Sequence, residues 1–245
     1  MAAVKTVYLT KTFDNITAVK DLNIEVREGE IFGLVGPDGA GKTTIMRLLT
    51  AVLEPTSGQG WVYGKDIIKE SFALRENIAY MPQNFGLYED LTVIENMNFY
   101  ADIYCLPFKQ KNPKIERLLE FSHLKQFKKR LAKNLSGGMK QKLGLTCALI
   151  HNPKVLFLDE PTNGVDPVSR KDFWKILYHL LEANVTIVIS TSYLEEAENC
   201  NTVALMHKGI LLKCDTPSEI KKQMNTKSIQ EAFISVINDY ERKSA

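Results

Sequence analysis

With 245 residues, 44% of them apolar and 24% charged, the chain has ordinary globular composition and length for an ample core, which excludes disorder as its native state. A net charge of +2 gives no reason to expect a nucleic-acid partner, because a dedicated binder's basic face dominates its balance.

In chain order, β-branched and aromatic stretches at 4–12 and 16–26, broken by Asp14 and Asn15, predict a strand, a turn and a second strand. Glu28 and Gly29 turn the chain into the apolar run 31–35, short enough for a buried strand. A glycine-rich loop follows, then a helical pattern over 42–53 ended by Pro55 and Gly58, then a short strand at 61–63. From about residue 84 to 149 the periodicity is mainly helical, with starts expected at Thr92, at Asn112 and Pro113, and at Ser136. Strand signals return at 155–158, 185–189 and 203–206, separated by helical segments at about 167–181 and 193–198. Such alternation on both sides of a helical insert predicts an α/β fold: a parallel sheet with helices packed on it, plus a helical lobe.

Cys105, Cys147, Cys200 and Cys214 lack CxxC or metal-ligand spacing and read as reduced, mostly buried thiols. The basic run at 125–133 reads as a solvated helix face, the sharper alternative being a surface near anionic lipid. The N-terminus has no apolar signal region, and no window approaches the run of about 18 apolar residues that spans a bilayer. A soluble chain is expected, with any membrane role exerted through a partner.

Gly36, Pro37, Asp38, Gly39, Ala40, Gly41, Lys42 and Thr43 fit G-x-x-x-x-G-K-[ST] between the strand and helix that this pattern requires. Glycines let the backbone wind around an anion with its N–H groups inward, and the helix N-terminus adds positive potential. Lys42 is then placed for the β- and γ-phosphates of ATP, Thr43 for Mg²⁺ and Thr44 for the α-phosphate. The plainer alternative is a glycine-rich turn with an exposed lysine. Asp38 is a carboxylate inside a loop built for anions, so its side chain is expected to face solvent.

The strand at 155–158 ends in Asp159 and Glu160, and ligands of open α/β sheets sit beyond the carboxyl ends of strands. Asp159 is a candidate Mg²⁺ ligand and Glu160 a candidate for polarising the attacking water. Alone, the pair could be acids capping a strand for solubility; beside a phosphate loop the catalytic reading is preferred.

Leu135, Ser136, Gly137, Gly138, Met139, Lys140 and Gln141 resemble the LSGGQ signature of the ABC ATPases. A serine and two glycines opening a helix form a second anion site, although an ordinary N-cap at Ser136 is the alternative. The resemblance implies a P-loop NTPase core with a parallel sheet, an N-terminal antiparallel β subdomain and a helical subdomain. It spans 1–245 as a single domain: about 1–83 and 150–225 as catalytic core, about 84–149 as helical part, and about 226–245 as tail. It also implies that a second cassette, identical or different, packs head to tail so that Ser136, Gly137 and Gly138 close over the partner's ATP. Phe13 matches the aromatic that stacks on adenine, and Gln83 the glutamine that touches Mg²⁺ and joins the lobes. Asn163, Gly164, Val165 and Asp166 resemble the loop crossing between cassettes. Residues 36–41, 81–92, 190–194 and 228–234 look like bacterial cassettes that power ABC-2-type multidrug or efflux exporters. That likeness implies a transmembrane permease as partner and a place on the cytoplasmic face of the cell membrane.

One position departs from the family. After the strand at 185–189 a switch histidine is expected, and Ser192 stands there instead. A hydroxyl is shorter than imidazole and carries no positive charge, so slow hydrolysis is expected at this site. A nucleotide-binding regulatory cassette with little hydrolysis, and a non-transport ABC ATPase, are the alternative functions.

Overall fold

The computed structural model describes residues 2–244. Two sheets organise the chain. In the antiparallel, five-stranded sheet, β1 (Ala2–Phe13) pairs with β2 (Ile16–Leu22), β3 (Glu25–Arg27) and β5 (Ser57–Val62), and β5 carries β6 (Lys65–Asp66). The single strand expected over 16–26 is thus two strands. They are joined at Thr6, whose hydroxyl donates to the Leu22 carbonyl and accepts from the Ile24 N–H.

The second sheet has six strands in the order β11-β10-β4-β9-β8-β7. Its parallel strands are β4 (Ile31–Val35), β7 (Ile78–Met81), β8 (Val155–Asp159), β9 (Thr186–Thr191) and β10 (Thr202–His207). Every residue of β4, β8 and β9 is buried, as expected of parallel strands covered on both faces. Successive side chains serve different cores. Ile31, Val35, Leu156, Leu158, Ile187 and Ile189 face one, with α5 (Gly137–Ala148) and α6 (Pro167–Glu182); Phe32, Leu34, Phe157 and Val188 face the other, with α1 (Lys42–Leu49). Each such side chain contributes roughly 1.5–3 kcal/mol on burial, so the sheet is the rigid platform of the molecule.

A third apolar core lies among α3 (Val93–Ile103), α4 (Phe108–Phe121) and α5. The starts expected at Thr92 and Ser136 are both N-caps: Thr92 closes a capping box with Glu95, and the Ser136 hydroxyl accepts from the Met139 N–H. The start expected at Asn112 and Pro113 is not where α4 begins. It starts at Phe108, and Pro113 lies inside the helix. Burial of Ile115 and Leu119 outweighs the hydrogen bond that the proline forgoes.

Other boundaries moved for local reasons. Helix α1 ends at Leu49 because the chain turns at Ala51 with φ 54°. The segment at 194–199 is a 3₁₀ helix. Strand β11 (Ile210–Asp215) was not expected; it returns antiparallel on β10 through Lys208 and Gly209, both at positive φ. Short α2 (Ser71–Arg75), α7 (Pro217–Met224) and α8 (Ile229–Ser244) complete the chain. Among the described residues no helix is long and apolar enough to cross a membrane.

Candidate active site

The carboxyl ends of β4, β8 and β9 meet along one edge of the parallel sheet. The loop after β4 is held by Gly36, whose N–H donates to the Thr191 carbonyl at 3.3 Å. A Cβ on Gly36 would collide with the Met206 carbonyl of β10, and Gly41 at φ 96° would collide with the Ala18 carbonyl of β2. Only glycine lets the loop lie this low on both sheets. Asp38 is exposed and stands on the rim of the cleft rather than turned away from it.

Lys42 opens α1 and is only 4% exposed. Its ammonium donates to the carbonyls of Gly36 at 2.7 Å and Pro37 at 3.0 Å, and pairs with Glu160 Oε1 at 3.1 Å. A buried ammonium needs such partners, because an unpaired charge there is strongly destabilising. Glu160 itself stands at φ 48°, a left-handed conformation that costs a non-glycine residue about 1 kcal/mol or more. Its N–H is tied to Ser190 twice, to the carbonyl at 3.1 Å and to the hydroxyl at 3.0 Å. This turn directs the carboxylate from the strand end back toward Lys42.

Asp159, 1% exposed, is surrounded by hydroxyl donors. Its Oδ1 accepts from Ser190 at 2.6 Å and Thr43 at 3.2 Å, and its Oδ2 from Tyr80 at 3.3 Å. Burial, and then the negative charge of Asp159, push the Tyr80 phenol up to about 12, so it remains a donor. The Thr43 hydroxyl and the Asp159 carboxylate are hard oxygen donors in contact. So small a protein donor set suits Mg²⁺, which keeps water and phosphate oxygens as its other ligands.

A cleft of about 470 Å³ lies above these groups, lined by residues 38–44 together with Ala18, Gln83, Glu160 and Asn163. The structure therefore gathers Lys42, Thr43, Thr44, Gln83 and Glu160 on one cleft, with Asp159 directly behind Thr43. Phe13, Ser136, Gly137, Gly138 and Ser192 are not on its wall. Phe13 sits at the end of β1, 44% exposed, with the Lys11 ammonium 5.1 Å from its ring centre. Ser136 and Gly137 are exposed at the start of α5, and Gly138 is packed against Ser169 of α6. Ser192 is half-buried one residue beyond β9.

Tyr80, Ser190 and Ala18 were missed. Ser190 reaches Asp159 only because β8 and β9 are paired in parallel with Asp159 opposite Ser190, a register that local sequence does not carry. Ala18 enters through the second sheet, for the same reason.

A phosphate loop between β4 and α1, with paired acids at the end of β8, makes this a P-loop nucleotide-binding protein of the α/β class. Residues 19–163 match the family model described as ABC transporter, and the chain belongs to that family. It is 51% identical to the probable multidrug ABC transporter ATP-binding protein YbhF of Escherichia coli (strain K12), over 86% of this chain and 36% of that protein. It thus spans about a third of that relative's length. The bacitracin transport ATP-binding protein BcrA of Bacillus licheniformis is 38% identical, over 93% of this chain and 74% of its own. Among solved structures, the dimeric post-hydrolysis state of the ATP-binding cassette MJ0796, bound to ADP and Pi, superposes with a TM-score of 0.78 at 25% identity. That match covers 87% of this chain and 98% of the other.

Proposed function

We propose that this chain binds ATP with Mg²⁺ in the cleft, hydrolyses it, and uses the cycle to drive a membrane-embedded export partner of the ABC-2 type from the cytoplasmic face of a membrane. The observation that carries the reading is the convergence of buried Lys42, Asp159 and Glu160 with half-buried Thr43 beneath one glycine-rich loop at the carboxyl edge of the sheet.

The loop N–H groups and the start of α1 hold the phosphates. Lys42 exchanges Glu160 for the β- and γ-phosphates, and the freed carboxylate orients the attacking water in line. Thr43, Asp159 and Gln83 hold Mg²⁺, which when bound neutralises negative charge on the phosphate oxygens. Phe13, exposed at the end of β1, stacks on adenine. Ser136 and Gly137, exposed and facing no part of this chain's own cleft, serve the nucleotide of a second cassette, identical or different. The likeness to the multidrug protein YbhF and the bacitracin transport protein BcrA supports a drug- or antibiotic-like cargo.

A second reading, a cassette that binds ATP with little hydrolysis, is favoured by the place of Ser192 off the cleft wall. Steady-state ATP hydrolysis by the purified chain, beside Glu160→Gln and Ser192→His, tests both. The hydrolytic reading expects turnover abolished by the first change and raised roughly tenfold or more by the second. An unchanged rate in Ser192→His removes the account of the missing histidine. Tight ATP binding without turnover in any form establishes the second reading. Stimulation of turnover by a reconstituted permease tests the transport role.

A further inference from the structure

Glu196 is a carboxylate only 3% exposed, in the 3₁₀ segment that follows Ser192. Its Oε1 accepts from the Thr162 hydroxyl at 2.7 Å and the Trp174 indole N–H at 3.3 Å, and its Oε2 from the Thr191 hydroxyl at 2.7 Å. Arg170 Nε lies 3.7 Å from Oε1, an ion contact without a hydrogen bond. The Arg170 guanidinium lies against the Tyr193 ring, 4.1 Å from its centre. The Tyr193 N–H donates to the Thr191 hydroxyl at 3.0 Å. Backbone and ring of Tyr193 are therefore fixed from two sides.

The phenol so fixed points at the cleft. Its O–H donates to Asn163 Oδ1 at 3.4 Å, and Asn163 Nδ2 donates to Glu160 Oε2 at 3.4 Å. We propose that Asn163 and Tyr193 form a hydrogen-bonded arm that positions the Glu160 carboxylate, anchored through Arg170 on the buried Glu196. The inference rests on Glu160 being the group that orients water. Lys42 holds only Oε1, and when it turns to phosphate that oxygen is released for water, while Oε2 stays on the Asn163 amide. Tyr193 decides which end of that amide faces Glu160. By occupying the carboxamide oxygen it leaves the NH₂ toward the carboxylate; without it the amide is free to turn its oxygen inward, against a like partial charge. Asn163 meets the cleft beside Glu160, Tyr193 lies off its wall, and neither is assigned a phosphate contact, so the arm is expected to act on turnover and not on ATP affinity.

Steady-state hydrolysis by the full chain is compared in Tyr193→Phe, Asn163→Leu, the double variant and Asn163→Ser, with ATP binding and melting temperature measured on each. The expected result is a fall in kcat of about five- to tenfold in each of the first two, with KM for ATP unchanged. The double variant is no slower than Asn163→Leu alone, and Asn163→Ser, which keeps a donor, recovers part of the rate. An unchanged kcat in Tyr193→Phe overturns the arm. So do additive losses, or a raised KM together with a lowered melting temperature, which mark a packing role only. Glu160→Gln in the same assay separates the two levels. Full turnover there, or none in any form, removes the base and the arm together; a dead Glu160→Gln beside a fully active Tyr193→Phe removes the arm alone.

Discussion

Ser190 serves both acids of the site: its hydroxyl donates to Asp159 Oδ1 and accepts from the Glu160 N–H. A single oxygen therefore orients the Asp159 carboxylate and secures the left-handed turn beside it. Ser190→Ala removes both bonds in a fully buried place, where lost partners are not replaced by water. Groups that orient metal ligands typically alter metal affinity about 10–100-fold, and on the proposed Mg²⁺ role of Asp159 a loss at the low end of that range is expected. ATPase activity titrated against Mg²⁺ measures it; a midpoint unmoved in Ser190→Ala would show that Asp159 is held well enough by Thr43 and Tyr80. Lys42, Thr43, Asp159 and Glu160 were all legible in the sequence because each lies within a contiguous motif. Ser190 and Tyr80 were not, because their roles arise from strand register across the sheet.

At the scale of elements, the join between the end of α3 and the start of β7 is an aromatic stack. Tyr104, which caps α3, lies on the His151 ring with centres 3.9 Å apart and an interplanar angle of 13°. His151 Nε2 is 2.8 Å from the Ile78 carbonyl and so carries the proton, leaving a buried Nδ1 without a partner. Burial first, and the nearby Lys114 cation as a lesser cause, hold the imidazole below its usual range. In the unfolded chain it titrates near about 6.5, so between that value and the lower folded one the unfolded state binds more protons. Stability contributed by neutral His151 is thus complete above about pH 6.5 and is withdrawn as pH falls. Melting temperature is expected to drop on going from about pH 7.5 to about 5.5, and to drop less in His151→Phe. Equal drops in the two proteins would exclude the stack as the cause. Among the elements themselves, capped helices were read well, since Thr92 and Ser136 carry their signal locally. The start of α4 was misread because Asn112 and Pro113 read locally as a cap and a first helical residue, whereas the helix begins at Phe108 and the burial of Ile115 and Leu119 carries it through Pro113. Strand β11 was missed although Lys208 and Gly209 are a usable hairpin signal.

For the whole molecule, the question is how three cores act as one body. Phe85 packs against both the core around α5, α6 and the parallel sheet and the core among α3, α4 and α5. Its ring stacks on Tyr100 at 5.2 Å and lies against the bare backbone of Gly144, where a Cβ would come within 3.1 Å. It also follows Gln83 by two residues, so the link between cores begins at the cleft wall. A buried Phe→Ala change costs about 3–5 kcal/mol, and this half-buried ring is expected to cost about 2. The sharper expectation concerns place: in Phe85→Ala amide exchange should quicken in α3, α4 and α5 well before it does in β8 and β9. Uniform quickening would mean that Phe85 contributes only to global stability. The α/β class was legible from the alternation of strands and helices. The contact between cores was not, because it depends on one aromatic, Phe85, meeting one glycine, Gly144, far along the chain.

The contact between Lys42 and Glu160 has a consequence for selectivity. The site's own carboxylate is a resident competitor for the cation that an incoming anion needs, so entry is an exchange rather than a filling. A ligand offering a single weak negative centre gains little by evicting it. A polyphosphate, which can also occupy the loop's N–H groups, gains on several fronts at once. On the proposed function the resident carboxylate thereby acts as an admission threshold, and the group evicted at the threshold is the one assigned to the attacking water.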